Sequence, residues 1–212
     1  MICVSLAEPT PEKFLAALEG IPFAEIRIDR MRTGEEGVGR VFSSHPRLIA
    51  TCRPGRFTDA KRLALLRAAV AAGAAYVDIE VEAGAPYKRT LVREARSAGC
   101  GVIVSYHDFE RTPPRRELVG VVDRCFASGA DIAKIACRVR SPKDNARLLG
   151  LLDDDRALVV VGLGKRGTIT RVMGPLAGGR FSFASRARGR ETAGGQIPHE
   201  ALARLIRMVA DA

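Results

Sequence analysis

The chain has 212 residues, 47% hydrophobic and 27% charged, a globular balance with no apolar run near the roughly 18 residues that a membrane-spanning helix needs. Its formal net charge of +10 asks for an anionic partner, either nucleic acid or a small molecule. Trp is absent, aromatics total 5%, and arginines are spread along the chain instead of forming a basic block, which is poor material for base stacking. Most of the charge therefore reads as solvated helix faces plus a few arginines reserved for a small anion, with no nucleic acid and no membrane as partner.

The N-terminal stretch MICVSLAEPTPEKF has no basic n-region and no long apolar core, so it reads as an immediate strand and not as a signal peptide. Five widely spaced cysteines (Cys3, Cys52, Cys100, Cys125, Cys137) form no CxxC pair. Reduced thiols in a cytoplasmic protein without metal are the expectation. β-rich runs are predicted at Ile2–Leu6, Ala24–Ile28, Leu48–Cys52, Tyr76–Val81, Gly101–Tyr106, Asp131–Ala136, Ala157–Gly162 and Phe181–Ala184. Helical patterns lie between them, at Pro11–Glu19, a weak one near Glu35–Phe42, then Asp59–Ala72, Pro86–Ala98, Pro114–Ser128, Pro142–Leu152, Gly167–Leu176 and Pro198–Ala210. Several open on proline, and Gly73, Gly99 and Gly129 follow helix ends as caps. Eight strand–helix units averaging about 26 residues predict a compact single-domain (β/α)8 TIM barrel over residues 1–212, with no plugging hairpin before the first strand. An open doubly wound sheet is the alternative, but no G-x-G-x-x-G follows the first strand.

Polar residues gather at the strand ends, where a barrel of this kind builds its chemistry. Ser5 ends the first run. Glu25, Arg27 and Asp29 alternate with Ile26 and Ile28 on one strand face. Arg53 follows the third run, and Asp78 and Glu80 alternate with Val77, Ile79 and Val81. Ser105, His107 and Asp108 close the fifth, and Lys134 stands among Ile132, Ala133, Ile135 and Ala136 on the sixth. Burial in an apolar site disfavours an ammonium, and a neutral lysine can form a Schiff base with a carbonyl. The plain alternative is an amine snorkelling to water from a strand end. Beside such a lysine, His107 is the natural proton shuttle; taken alone it could be a hydrogen-bonded turn residue, as His45 and His199 are expected to be. The Gly-rich segment Val161–Arg171 leads into a helix and suggests anion binding by backbone amides and Arg171. Thr192 and Gln196, in the loop Glu191-Thr-Ala-Gly-Gly-Gln196, are candidates to hydrogen-bond a small ligand.

Taken in order, CVSL, EIRID, TCR, YVDIE, VIVSYHDFERTP, DIAKIA, GKRGTITRV and ETAGGQI resemble type I 3-dehydroquinate dehydratases across nearly the whole chain. The resemblance implies a (β/α)8 barrel that dehydrates 3-dehydroquinate to 3-dehydroshikimate, a step of the shikimate pathway, without metal or other cofactor. It gives Lys134 the imine and His107 the acid/base role. Ser5, Glu25, Arg27 and Arg53 fall at substrate-binding positions, Arg171 at the partner of the substrate carboxylate, and Thr192 and Gln196 in a closing loop. It further implies a cytoplasmic homodimer. This chain departs from the family in three places. No Glu follows Arg53, so Asp78 or Glu80 is a candidate to support the histidine from a second layer. Leu163 replaces a common methionine. Gly194 replaces a common proline, which predicts a more mobile closing loop. The competing readings are another Schiff-base lyase or aldolase on the same barrel, with Gly162–Gly167 as a phosphate loop, and a nucleic-acid binder using Arg180, Arg186, Arg188 and Arg190.

Overall fold

The computed structural model describes residues 1–212. Strands β1 (Ile2–Leu6), β2 (Ala24–Arg27), β3 (Leu48–Thr51), β4 (Tyr76–Glu80), β5 (Gly101–Asp108), β6 (Ile132–Arg138), β7 (Leu158–Leu163) and β8 (Ser182–Ser185) alternate with eight helices. The helices are α1 (Pro11–Leu18), α2 (Glu35–Ser43), α3 (Asp59–Ala71), α4 (Ala85–Ser97), α5 (Arg115–Ala127), α6 (Pro142–Leu149), α7 (Ile169–Leu176) and α8 (His199–Ala210). The sheet runs in chain order from β7 back to β1, followed by β8. β8 lies beside β7 as well, where the Arg180 amide donates to the Leu158 carbonyl at 2.9 Å. This is the parallel (β/α)8 arrangement expected from the alternation of runs.

Contacts divide the chain into two compact units, Ser5–Ile103 and Met1–Val4 with Val104–Ala212. In the first unit, β2–β3–β4 pair in parallel with Glu25 opposite Ile49, Arg27 opposite Thr51, and Thr51 opposite Asp78. Glu25, Arg27, Thr51, Asp78 and Glu80 therefore share one sheet face, while Ile26, Ala50, Val77 and Ile79 line the other. That second face and the inner stripes of the helices (Phe14, Val38, Phe42, Leu65, Leu66, Leu91) form the apolar core. Each such side chain contributes about 1.5–3 kcal/mol on burial. The segment that reads weakest in sequence, α2, is a full helix. Its Val38, Val41 and Phe42 are buried, and the close approach of Thr33 leaves no room for a Cβ at Gly37.

In the second unit, β6 and β7 pair with Lys134 opposite Val159, Ala136 opposite Val161 and Arg138 opposite Leu163. Period-two alternation puts Lys134, Ala136 and Arg138 on the same face. Most boundaries fall within two residues of those predicted. Two helices are shorter than predicted at one end, because residues 150–153 and 165–167 tighten into 3-10 turns. The strand reading of Asp29 is corrected: β2 stops at Arg27, and Asp29 stands in a 3-10 turn over Ile28–Arg30. All five cysteines are buried and none is joined in a disulfide, and burial pushes the thiols of Cys52 and Cys137 up to about 12. No helix is long and apolar enough to cross a membrane.

Candidate active site

In the Ser5–Ile103 unit the strand-end charges form one network. Ser5 Oγ donates to Glu25 Oε2 at 2.5 Å, and Thr51 Oγ1 donates to Glu25 Oε1 at 3.0 Å. Arg53 makes a two-pronged pair with Asp78 at 2.8 and 2.9 Å and reaches Glu80 at 2.6 Å. Its Nη2 lies 4.0 Å from Glu25 Oε1. Burial works against the Arg53 guanidinium, but Asp78, Glu80 and Glu25 outweigh it and raise its pKa above the ordinary arginine value. Arg27 is clamped by Asp29 through two bonds of 2.9 and 2.8 Å, which likewise overcome the cost of burial and raise its pKa. Asp29 also takes the Arg53 amide at 3.3 Å, so the turn after β2 holds both arginines. Asp78 and Glu80, the two candidates for supporting the histidine, are both ligands of Arg53.

In the other unit Lys134 is buried, with 5% of its surface exposed, and its Nζ lies 4.1 Å from the centroid of the Phe183 ring. A cation over a ring face is stabilised by the π quadrupole. Arg171 is the largest fully buried side chain, at 1% exposure. Its Nη1 donates to the Phe183 carbonyl at 3.0 Å and its Nη2 to the Gly194 carbonyl at 3.3 Å, while Nε has no partner. No carboxylate pairs with it, and burial alone pushes its pKa down to about 10. A buried guanidinium with an unsatisfied N–H and no counter-charge is a site for an anion.

The segment before Arg171 is tied into a fixed loop. Gly162 and Gly167 touch backbone to backbone, so neither tolerates a Cβ. Thr170 Oγ1 accepts from the Gly162 amide and donates to the Gly167 carbonyl, both at 2.8 Å. The Gly164 amide donates to Gly194 O at 3.0 Å and the Gly167 amide to Gly164 O at 2.9 Å. The amides of Gly162, Gly164 and Gly167 bond within the chain, so these three are not offered to an anion, whereas the Arg171 side chain is. Thr192 and Gln196 bond each other, with the Thr192 amide donating to Gln196 Oε1 at 2.7 Å and Gln196 Nε2 to Thr192 Oγ1 at 3.1 Å. That closes the loop of residues 192–196. Gly194 itself has an ordinary φ and room for a Cβ; the constrained position is Gly195, at φ +83°, whose Cβ would collide with the Gly164 carbonyl.

His107 is half-buried at the end of β5, on the strand next to Lys134, and stacks on Phe109 with centroids 5.9 Å apart and planes inclined by 15°. Asp108 accepts from the amides of Glu110 and Arg111 at 2.9 and 2.8 Å, which fixes the turn that follows. His45 and His199 are hydrogen-bonded to main-chain carbonyls of Ile21 and Arg186, in keeping with structural roles. Sequence reasoning missed Thr51, Phe183 and Ser185. Ser185 is fully buried and its Oγ has no partner. The alternation in Ser182-Phe-Ala-Ser185, which places Phe183 and Ser185 on one face, is the signal that could have found the last two.

The profile of the type I 3-dehydroquinase family matches residues 2–211. A 3-dehydroquinate dehydratase of Desulfotalea psychrophila is 36% identical over 212 residues, covering 92% of each chain. That of Methanocaldococcus jannaschii is 30% identical over 219 residues and covers 99% of each. The crystal structure of the 3-dehydroquinate dehydratase from Aquifex aeolicus superposes with a TM-score of 0.83 at 27% identity, covering 98% of both chains. A profile match along nearly every residue, joined to the lysine within β6 and the histidine near the end of β5 of a (β/α)8 fold, means that the chain belongs to the type I 3-dehydroquinase family.

Proposed function

We propose that the protein dehydrates 3-dehydroquinate to 3-dehydroshikimate through an imine on Lys134, as the third step of the shikimate pathway. The observation that carries this reading is the convergence of two buried cations on one residue: Lys134 Nζ over the Phe183 ring and Arg171 on the Phe183 carbonyl. An amine able to condense with a carbonyl, next to a guanidinium lacking an anion, suits a ligand that carries both a ketone and a carboxylate. 3-Dehydroquinate is such a molecule.

In this mechanism Lys134 Nζ adds to the ring ketone, and one water leaves as the protonated imine forms. The imine draws electrons from the adjacent C–H bond, and His107 takes that proton. The electron pair then expels the neighbouring hydroxyl, which departs as water with the proton returned by His107. A further water hydrolyses the imine and frees Lys134, so the net change is the loss of one water. Arg171 holds the carboxylate. Ser5, Glu25, Arg27 and Arg53 serve the ring hydroxyls, Thr192 and Gln196 act from the closing loop, and Asp78 and Glu80 keep Arg53 in place. The homodimer and the cytoplasmic location implied by the family belong to this reading.

The test is borohydride reduction of the protein with 3-dehydroquinate, followed by peptide mapping. A reduced adduct on Lys134 is expected, and an unmodified Lys134 in folded, substrate-exposed protein would refute the imine. Under the same conditions the His107→Ala protein should still be trapped, while its kcat falls by about 10²–10⁴-fold, the usual cost of a lost acid/base group. Arg171→Met keeps the length of the side chain and removes the charge. It should raise KM far more than it lowers kcat, and an unchanged KM would contradict the carboxylate role. Because burial pushes Arg171 down to about 10, its charge in the free enzyme is lost as pH rises through that value. The kcat/KM of the wild type should then fall above about pH 10 by more than that of Arg171→Met, which has no such charge to lose.

A further inference from the structure

A second basic cavity opens in the Met1–Val4, Val104–Ala212 unit, and the mechanism above makes no use of it. It is a cleft of about 600 Å³ at the ends of β5, β6 and β7. Arg138, Arg140, Lys165 and Arg166 line it together with Glu110 and Phe109. Four cations face one carboxylate, and none of the five makes an ion pair with another side chain. Some other surface arginines do have carboxylate partners, Arg40 with Glu12 at 2.8 Å, Arg67 with Glu94 at 2.7 Å and Arg156 with Asp123 at 2.9 Å. Like charges held together without a counter-ion repel, and an anion relieves that cost.

The cleft is also built, not loose. Arg166 Nη1 donates to the Arg140 carbonyl, and Asn145 Nδ2 donates to the Arg166 carbonyl at 2.9 Å, so the β6 and β7 sides are bridged. The Arg138 guanidinium lies directly over Gly164, where it would meet an added Cβ at 2.8 Å. Phe109, which lines the cleft, is 73% exposed and offers an apolar surface beside the charges. Gly164 is shared ground: it lines the cleft, its amide holds Gly194 O at 3.0 Å, and Gly195 packs on its carbonyl. The same Gly194 oxygen receives Arg171 Nη2.

We propose that this cleft is a second anion site, separate from the Arg171 position, that takes a phosphate-bearing small molecule and braces the loop of residues 192–196 through Gly164. Guanidinium forks match the geometry of phosphate oxygens, and several of them with an ammonium suit a dianion better than a single carboxylate. The inference stands on the cleft itself and does not depend on the reaction proposed above.

Isothermal titration of the whole protein with inorganic phosphate, against sodium chloride at equal ionic strength, tests the site. Saturable heat with phosphate and none with chloride is expected. Lys165→Gln/Arg166→Gln should weaken phosphate at least about tenfold, the loss expected for charge-assisted hydrogen bonds, while Arg171→Met should bind it as the wild type does. If the double variant folds poorly, Lys165→Gln alone, an exposed position, gives the same comparison. Equal response to the two salts would make the cleft a solvated basic surface and overturn the proposal. So would undiminished binding in the double variant, or binding lost only in Arg171→Met, which would put the phosphate at the carboxylate position. Amide hydrogen exchange at residues 192–196 reads the bracing, since phosphate should slow it in the wild type and not in the double variant. Exchange that phosphate leaves unchanged would refute the link through Gly164.

Discussion

Lys134→Ala is expected to abolish both turnover and borohydride trapping while leaving the protein folded. The loss of activity should be effectively complete, because no other group in the chain supplies an amine over Phe183. The change in stability should be small, because two effects oppose each other. Removing the amine forfeits the contact with the Phe183 ring, about 0.5–2 kcal/mol for such a pair. It also removes a charge from a site where only 5% of the residue meets water, and that burial is itself unfavourable. Product absorbance and thermal unfolding, measured on the same preparation, separate the two. Normal turnover by Lys134→Ala would sink the imine mechanism. A collapse of the unfolding midpoint would instead make Lys134 a structural residue, which the Schiff-base reading does not allow.

Arg53→Met should have the largest effect on stability, about 3–5 kcal/mol, the usual cost of breaking a buried ion pair from one side. The reason is what it leaves behind. The Asp78 side chain has 0% exposure and Glu80 has 13%, and both carboxylates accept from the Arg53 guanidinium at 2.6–2.9 Å. With roughly 2–4 °C per kcal/mol for a chain of this size, the midpoint should fall by about 6–20 °C. Arg53→Lys should recover only part of this, since a lysine cannot make the paired bonds to Asp78 and reach Glu80 as well. Arg53→Met/Asp78→Asn should be less damaging than the sum of its parts, because it no longer strands the Asp78 carboxylate. A midpoint unchanged by Arg53→Met would mean that water, not the arginine, satisfies the two acids.

Much of the fold was legible in the chain. Alternating runs and helical stripes placed all eight strands and all eight helices, and the proline and glycine punctuation located most ends. The errors sit where a local rule lost to geometry. Asp29 continues the period of Glu25 and Arg27, yet the strand stops and the turn folds Asp29 back to clamp Arg27. The Gly-rich segment before α7 has the composition of an anion loop, but its Gly162, Gly164 and Gly167 amides bond to Thr170, Gly194 and Gly164. Composition cannot tell an amide facing a ligand from one facing its own chain.

The sequence by itself determined the fold class, the family, and the chemical inventory of the strands and the loops and helix starts after them: Lys134, His107, Arg171, Glu25, Arg27 and Arg53. Periodicity and residue type are local properties, and a lysine among isoleucines is readable without knowing its neighbours in space. Tertiary structure decided which of these groups meet. Lys134 and Arg171 lie 37 positions apart, and both come to Phe183, whose meeting with them no local pattern announces. Arg53 is shared by Asp78 and Glu80, and four cations from two strand ends share one cleft without a carboxylate paired to any of them. These meetings follow from strand register and loop closure, which depend on the packing of the whole chain and are encoded at no single position.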